Sequence, residues 1–220
     1  MNHRAPARRG QPAPDPLTAL AFEARHGDPQ SMAEFIRASH SEVWSFCAHL
    51  VDRQAADDLA QETYLRVFRA LPAFRQESSA RTWLLSIARR VCADELRSRT
   101  QRRRRDEKLI SLHEEEYVAD AAQRAETDEL LSHLLPERRA AFVLTQLLGL
   151  SYEETAQACR CPVGTVRSRV ARARADLIEV LQAQERIRGT DADHGQGERI
   201  SCHDEKKKSK VSTKRRWRGN

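Results

Sequence analysis

Between Leu150 and Arg174 the chain reads Leu-Ser-Tyr-Glu-Glu-Thr-Ala-Gln-Ala-Cys-Arg-Cys-Pro-Val-Gly-Thr-Val-Arg-Ser-Arg-Val-Ala-Arg-Ala-Arg. Two short helices with a tight turn between them account for this stretch. Ser151 and Glu154 have capping-box spacing, so the first helix starts at Ser151. Pro162 supplies a fixed φ where the second begins, and its missing N–H costs nothing there. On the second helix Val163, Val166, Val170, Ala173 and Leu177 step by three and four into one apolar stripe. Thr165, Ser168 and Arg172 face the other way, flanked by Arg167 and Arg169, and Gly164 leaves the outer side open for close approach. This is the pattern of a helix-turn-helix whose second helix enters a DNA groove. A helical hairpin with a solvated basic face is the plainer alternative. The turn normally takes a glycine or asparagine at positive φ, but here Arg160 or Cys161 holds that place, so some backbone strain is expected.

The rest of the chain is also helical in pattern, with little strand-like alternation. Residues 1–16 hold four prolines and few apolar groups, and read as a disordered leader. From about Leu17 to Arg99 the periodicity is helical. Ala33 to Leu50 offers Phe35, Ile36, Val43, Trp44, Phe46, Cys47 and Leu50 for burial. Asp52 caps a helix running to about Ala70, ended by Leu71-Pro72, and a loop leads to a helix from Ala80 to Arg99. Arg102 to Arg105 and the acidic stretch after them have the composition of a linker. Helices resume from Arg124 to Leu135 and from Glu137 to Leu148, and the helix-turn-helix ends near Leu181. The expected fold is all-α: two small helical domains, 17–100 and 124–183, joined by a flexible linker at 101–123, with a disordered basic tail at 184–220.

In the first domain, the helix after Asp52 buries Ala56, Leu59, Ala60, Thr63 and Val67, and turns Asp58, Gln61, Glu62, Leu65 and Arg69 outward. A leucine inside an acidic rim fits a docking surface for a protein partner. An ordinary solvated face with one stray leucine fits it too. On the following helix Trp83, Leu84, Ile87, Ala88 and Val91 are to be buried, and Arg89, Arg90 and Arg97 share a second face, a basic stripe of the kind that follows a phosphate backbone. Trp83 is read as core rather than as a stacking platform. The loop from Phe74 through Arg75, Gln76, Glu77 and Ser78 to Ser79 is able to hold a flipped base, although nothing in its composition demands that.

Composition narrows the classes. The net charge of +6 is exceeded by the eight basic residues from Lys206 to Arg218, so the residues before them are slightly acidic overall. Local clustering, not overall pI, carries the nucleic-acid argument. The five cysteines show no paired metal spacing, since Cys159-x-Cys161 is too tight for the usual zinc pair. They read as reduced thiols, and His113 and His203 have no convincing ligand partners. No metal and no cofactor are expected. No apolar run approaches the ~20 residues of a membrane helix, and no apolar core follows Arg4, Arg8 and Arg9, so a cytoplasmic protein without membrane insertion is expected. No G-x-x-x-x-G-K-[ST], H-E-x-x-H or G-x-S-x-G motif is present, and Asp57 and Asp58 point in different directions, which argues against an enzyme. A stand-alone helix-turn-helix regulator remains as a rival reading.

Three segments together resemble a bacterial sigma factor of the extracytoplasmic-function group, most like its actinobacterial sigma-C branch. They are Asp57-Asp-Leu-Ala-Gln-Glu-Thr-Tyr-Leu-Arg-Val-Phe68, the run from Phe74 to Arg90, and Leu150 to Arg174. The resemblance spans roughly Leu17 to Leu181. It implies that Asp57, Asp58, Gln61, Glu62 and Leu65 grip the β′ subunit of core RNA polymerase, with β as a further partner, which favours the docking reading of that face. It implies that the loop Phe74, Arg75, Gln76, Glu77 and Ser78 captures a base flipped from the −10 element, with Arg89, Arg90 and Arg97 holding nearby DNA. It implies that Gly164, Thr165, Arg167, Ser168, Arg169 and Arg172 meet the −35 element as duplex. The acidic linker would thread along the polymerase, and the domain that housekeeping sigma factors carry between the two promoter-binding domains is missing. An anti-sigma factor is a candidate partner. Two features depart from the pattern: Arg160 stands where the turn glycine is usual, and the basic tail is an addition, serving DNA attraction, a partner, or only solvation.

Overall fold

The computed structural model describes residues 15–110 and 126–197, and every described regular element is helical. The leader through residue 14, most of the expected linker and the tail from residue 198 lie outside the described residues. In order the helices are α1 (Pro16–Ala24), α2 (Pro29–Leu50), α3 (Arg53–Ala70), α4 (Ala80–Ile110), α5 (Glu126–Ser132), α6 (Pro136–Phe142), α7 (Tyr152–Cys159) and α8 (Val163–Gly197). A 3-10 turn at Leu71–Ala73 follows α3, and a π turn at Val143–Leu147 extends α6. The chain divides into two units, one ending at Leu177 and one beginning at Ile178. The first unit holds α1 to α7 and the opening turns of α8. In the second, Ile178 and Leu181 are exposed.

The helix starts are fixed by side chains that accept otherwise orphaned backbone N–H groups. Asp15 accepts from the Thr18 N–H at 2.9 Å, Asp28 from Ser31 at 2.8 Å, and Asp52 from Ala55 at 2.8 Å. Pro16 and Pro29 sit just after the first two caps, where a missing N–H is harmless. Ser79 Oγ accepts from the Thr82 N–H at the start of α4. Thr18 Oγ1 donates to Asp15 and accepts the Ala80 N–H at 2.8 Å, so one buried hydroxyl ties α1 to the first turn of α4.

α1 to α4 enclose a core that includes Phe35, Val43, Phe46, Leu50, Val67, Leu84 and Val91, all essentially buried. Each large apolar side chain removed from water there contributes about 1.5–3 kcal/mol. That core does not stop at the expected linker. Leu131, Leu134, Val143, Leu144 and Ala158 belong to the same cluster, while Ala141 of α6 joins Ala156, Val166 and Val170 of the helix-turn-helix in a smaller one. Within the first unit the helices before and after the expected linker share a packed seam.

Two element ends differ from the sequence reading. α4 runs to Ile110, past the Arg99 end expected from the basic run, and α8 runs to Gly197, past Leu181 and into the stretch read as tail. In α4, Arg99 pairs with Glu95 and Asp52, and Arg102 with Glu95. Of the residues read as linker, Arg102 has partners one and two turns back on the same helix, Ser98 and Glu95.

Candidate nucleic-acid interface

α7 opens on the expected capping box: the Glu154 N–H donates to Ser151 Oγ at 3.1 Å and the Ser151 N–H to Glu154 Oε2 at 2.9 Å. It closes on Arg160 at φ 51, ψ 49, in the left-handed region, and the Cys161 N–H reaches back to the Ala156 carbonyl at 3.1 Å. That is a Schellman-type end with arginine where glycine is usual, at a cost of about 1 kcal/mol. The anticipated strain is there, at Arg160 and not at Cys161.

On α8, Val166, Val170 and Ala173 are buried, as the stripe requires. Gly164, Arg167, Ser168 and Arg172 are exposed and Thr165 is half-buried. A Cβ at Gly164 would meet nothing within 4 Å, so packing within the chain does not require a glycine there. Arg167 lies over the Tyr152 ring at 6.0 Å. Arg169 departs from the outward set. It is half-buried, points Nη1 at Cys161 Sγ at 3.8 Å, and lines a shallow hollow with Arg89, Leu50 and Leu96.

The loop before α4 splits in two. Phe74 is buried, its ring 4.9 Å from that of Trp83, so it belongs to the core and is not presented to a ligand. Trp83 is half-buried and packs against the same core, as read from its stripe. Arg75, Gln76 and Glu77 are exposed and Ser78 is half-buried, with Gln76 at φ 57. A non-glycine residue at positive φ is uncommon and marks a loop shape held by its surroundings.

Each arginine of the α4 stripe has a partner inside the chain. Arg89 Nε donates to the Ala158 carbonyl at 3.1 Å, Arg90 Nε to the Ser86 carbonyl at 3.1 Å, and Arg97 Nη2 to Asp94 Oδ1 at 2.5 Å. Burial, followed by the like charges of Arg160, Arg89 and Arg66, pushes the Arg90 pKa down. Arginines from α3, α4 and the α7–α8 turn thus crowd one region.

On α3, Asp57, Asp58, Gln61 and Leu65 are exposed and Glu62 is half-exposed, giving one outward face with Leu65 43 % exposed in its middle. Asp57 accepts the Trp44 indole N–H at 2.9 Å, and Glu62 accepts Arg66 Nε at 2.8 Å.

Several residues that matter here were not singled out from sequence. Arg139 is buried and donates to the carbonyls of Leu50 at 3.0 Å, Ser132 at 2.6 Å and Leu134 at 3.2 Å, gathering the C-terminal ends of α2 and α5. Arg81 pairs with Glu42 and donates to the Leu148 carbonyl. Asp128 accepts from Arg53 at 3.0 Å and lies 2.7 Å from His49 Nδ1. Arg66 links Glu62 to Asp94. Arg139 did leave a signal: Pro136, Arg139, Ala140, Val143 and Leu144 share one helical stripe, and a cation on an apolar stripe needs a buried partner.

Among the described residues no group of three His, Cys, Asp or Glu is placed to hold a metal, and no helix is long and apolar enough to cross a membrane. Cys47, Cys92, Cys159 and Cys161 are free thiols.

Residues 35–103 match the family model for sigma-70 region 2, and residues 124–177 that for sigma-70 region 4. Over 167 residues the chain is 47% identical to the probable RNA polymerase sigma-C factor of Mycobacterium bovis, covering 74% of this chain and 89% of that one. The ECF RNA polymerase sigma factor SigC of Mycobacterium tuberculosis matches to the same extent, 47% over 167 residues and the same shares of each chain. Among solved structures, CnrH in complex with the cytosolic domain of CnrY superposes with a TM-score of 0.57 at 22% identity, over 76% of this chain and 97% of CnrH, a likeness of fold. The sigma factor RpoE of Bartonella quintana, solved with the anti-sigma factor NepR, gives a TM-score of 0.53 at 27% identity over 68% and 96%.

Proposed function

The chain belongs to the extracytoplasmic-function group of sigma-70 family RNA polymerase sigma factors, and from that premise we propose that it binds core RNA polymerase, reads the −35 element as duplex and stabilises the melted −10 element. The observation that carries this reading is the outward face of α8, where Gly164, Arg167, Ser168 and Arg172 are exposed over a buried valine stripe. Thr165, Ser168 and the arginines there have the donors and acceptors that read base edges and clamp phosphates. The arginine reach is shorter than read from sequence, because Arg169 faces the hollow beside α4.

For the −10 element the exposed loop residues Arg75, Gln76 and Glu77, with Ser78, supply the base-capturing group, and Phe74 supports them from the core. Arg89, Arg90 and Arg97 hold the phosphates around them. Extruding a base costs a few kcal/mol, offset by pocket and phosphate contacts. Asp57, Asp58, Gln61, Glu62 and Leu65 form the face for the polymerase β′ subunit, with Trp44 orienting Asp57. The chain carries out no covalent step; the polymerase makes the RNA. We place the chain in the sigma-C branch on its 47% identity to two sigma-C factors. The anti-sigma complex of the Bartonella quintana relative makes an anti-sigma factor a partner to look for.

The test is run-off transcription with purified core RNA polymerase on genomic promoter fragments, with and without the chain. New chain-dependent transcripts from defined start sites are expected. Absence of transcripts together with absence of polymerase binding would overturn the proposal and favour a regulator that binds duplex DNA alone.

A further inference from the structure

Four charges alternate along one line across α3 and α4. Arg66 Nε donates to Glu62 Oε1 at 2.8 Å, Arg66 Nη1 to Asp94 Oδ2 at 2.7 Å, and Arg97 Nη2 to Asp94 Oδ1 at 2.5 Å. The line begins in the face proposed for polymerase and ends in the stripe proposed for DNA. Its inner members, Arg66 and Asp94, have no part in the function as described so far.

Asp94 stands at a revealing place. Arg90, Asp94 and Arg97 follow one another at steps of four and three, so a carboxylate interrupts a stripe of guanidiniums on one helix face. Both of its oxygens are taken by arginines, and those arginines are the cause of a carboxyl pKa held below its ordinary value. It is 45% exposed, so it is available to the same solvent and the same ligands as the arginines it holds. A role as a clamp between α3 and α4 explains little of this. Those helices already bury Leu59, Ala60, Val67, Leu84, Ala88 and Val91, and exposed ion pairs add little to such packing.

A carboxylate bonded to two guanidiniums occupies the donors that a phosphate would take. Phosphate contacts carry affinity but no sequence information, whereas base contacts specify. Resting on the proposed function, we infer that Asp94 is a specificity-determining residue: it occupies Arg97 and Arg66 as an internal phosphate mimic and keeps sequence-independent affinity for DNA low, so that base reading by the loop decides where the −10 element is held. Arg97 lies about 28 Å along α4 from the loop, so a strand seated in the loop reaches it only several nucleotides further on, where its phosphate displaces Asp94. A strand that does not fit gains nothing from the backbone in exchange.

The experiment uses the full chain carrying Asp94→Asn, which keeps the side-chain shape and removes the charge, with Asp94→Glu as the conservative control. The first readout is binding of a fluorescent single-stranded oligonucleotide of mixed sequence across a salt series. Asp94→Asn is expected to bind about threefold more tightly, the worth of one exposed charge contact. Its log K against log salt is expected to steepen by about 0.7–1.4, for one to two extra phosphate contacts on a single strand. The second readout is run-off transcription by the reconstituted holoenzyme on a promoter and on its scrambled −10 version, and the promoter-to-scrambled ratio is expected to fall about threefold. Asp94→Glu is expected to keep the wild-type slope and ratio. An unchanged slope and ratio in Asp94→Asn overturns the inference while leaving the proposed function intact. Weaker binding accompanied by a lowered melting temperature overturns it too, in favour of a purely structural Asp94. A wild-type chain that supports no initiation removes the proposed function first, and this inference with it.

Discussion

On α8 the side chains proposed for duplex DNA reach solvent: Arg167 and Arg172 are exposed, and the Ser168 hydroxyl turns back only to the Thr165 carbonyl of its own helix. On α4 the three arginines proposed for melted DNA are all engaged within the chain, by the Ala158 carbonyl, the Ser86 carbonyl and Asp94. Two basic stripes of similar sequence thus stand in different states. The first reaches solvent as it stands. In the second, Arg89 and Arg90 are half-buried and bonded within the chain, Arg89 to the C-terminal end of α7, while Arg97 is 71% exposed beside Asp94. A charged stripe announces a surface that binds anions, but its sequence does not say whether that surface is already occupied.

The contrast depends on the seam that packs α5, α6 and α7 against α2 and α4, and the largest expected effect comes from loosening it where α6 meets α2. Arg139→Ala removes the guanidinium that serves three carbonyls at the ends of α2 and α5. Buried carbonyls left unpaired are costly, and a loss of about 3 kcal/mol in urea unfolding followed by circular dichroism is expected. Wild-type stability in this variant would mean that the two helical sets do not depend on each other, and the contrast would lose its structural basis. Next in size is charge reversal on the docking face. Asp58→Lys is expected to weaken core polymerase binding at least about tenfold, as for a rim charge turned repulsive, measured by fluorescence anisotropy. Unchanged affinity would remove that face from the account. The smallest effect belongs to the open stripe. Arg172→Ala is expected to reduce −35-dependent transcription about fivefold, the loss of one phosphate or base contact, with polymerase binding unaltered. Equal loss of both activities would show that Arg172 holds the fold and does not read DNA.

Much of this architecture was legible where the signal is local. The Ser151–Glu154 capping box, the Asp52 cap, the Val166–Val170–Ala173 stripe and the left-handed turn beside Cys161 all follow from spacing within a few residues, and the structure has each of them. What spacing does not reveal is what a side chain meets across the fold. Phe74 reads as a loop residue, and only the Trp83 ring beside it shows that it is core. Arg169 reads as one more outward arginine, and only the fold shows it turned to the Cys161 thiol and the hollow it shares with Arg89 and Leu96. Arg66 and Asp94 are ordinary charged residues in sequence. They acquire meaning because α3 and α4 bring residues 28 positions apart within 2.7 Å. The helix ends at Ile110 and Gly197 were missed because charge-rich composition reads as linker or tail, although such residues also continue a helix.

The most direct test of the contrast compares two affinities in two states. A −35 duplex and a −10 non-template single strand are titrated against the free chain and against the chain bound to core polymerase, at one salt concentration. The account predicts that the free chain binds the −35 duplex, and that its affinity for the −10 strand is weak until polymerase is present. A free chain that holds the −10 strand as tightly as the holoenzyme does would contradict it, because the α4 arginines would then not be occupied from within.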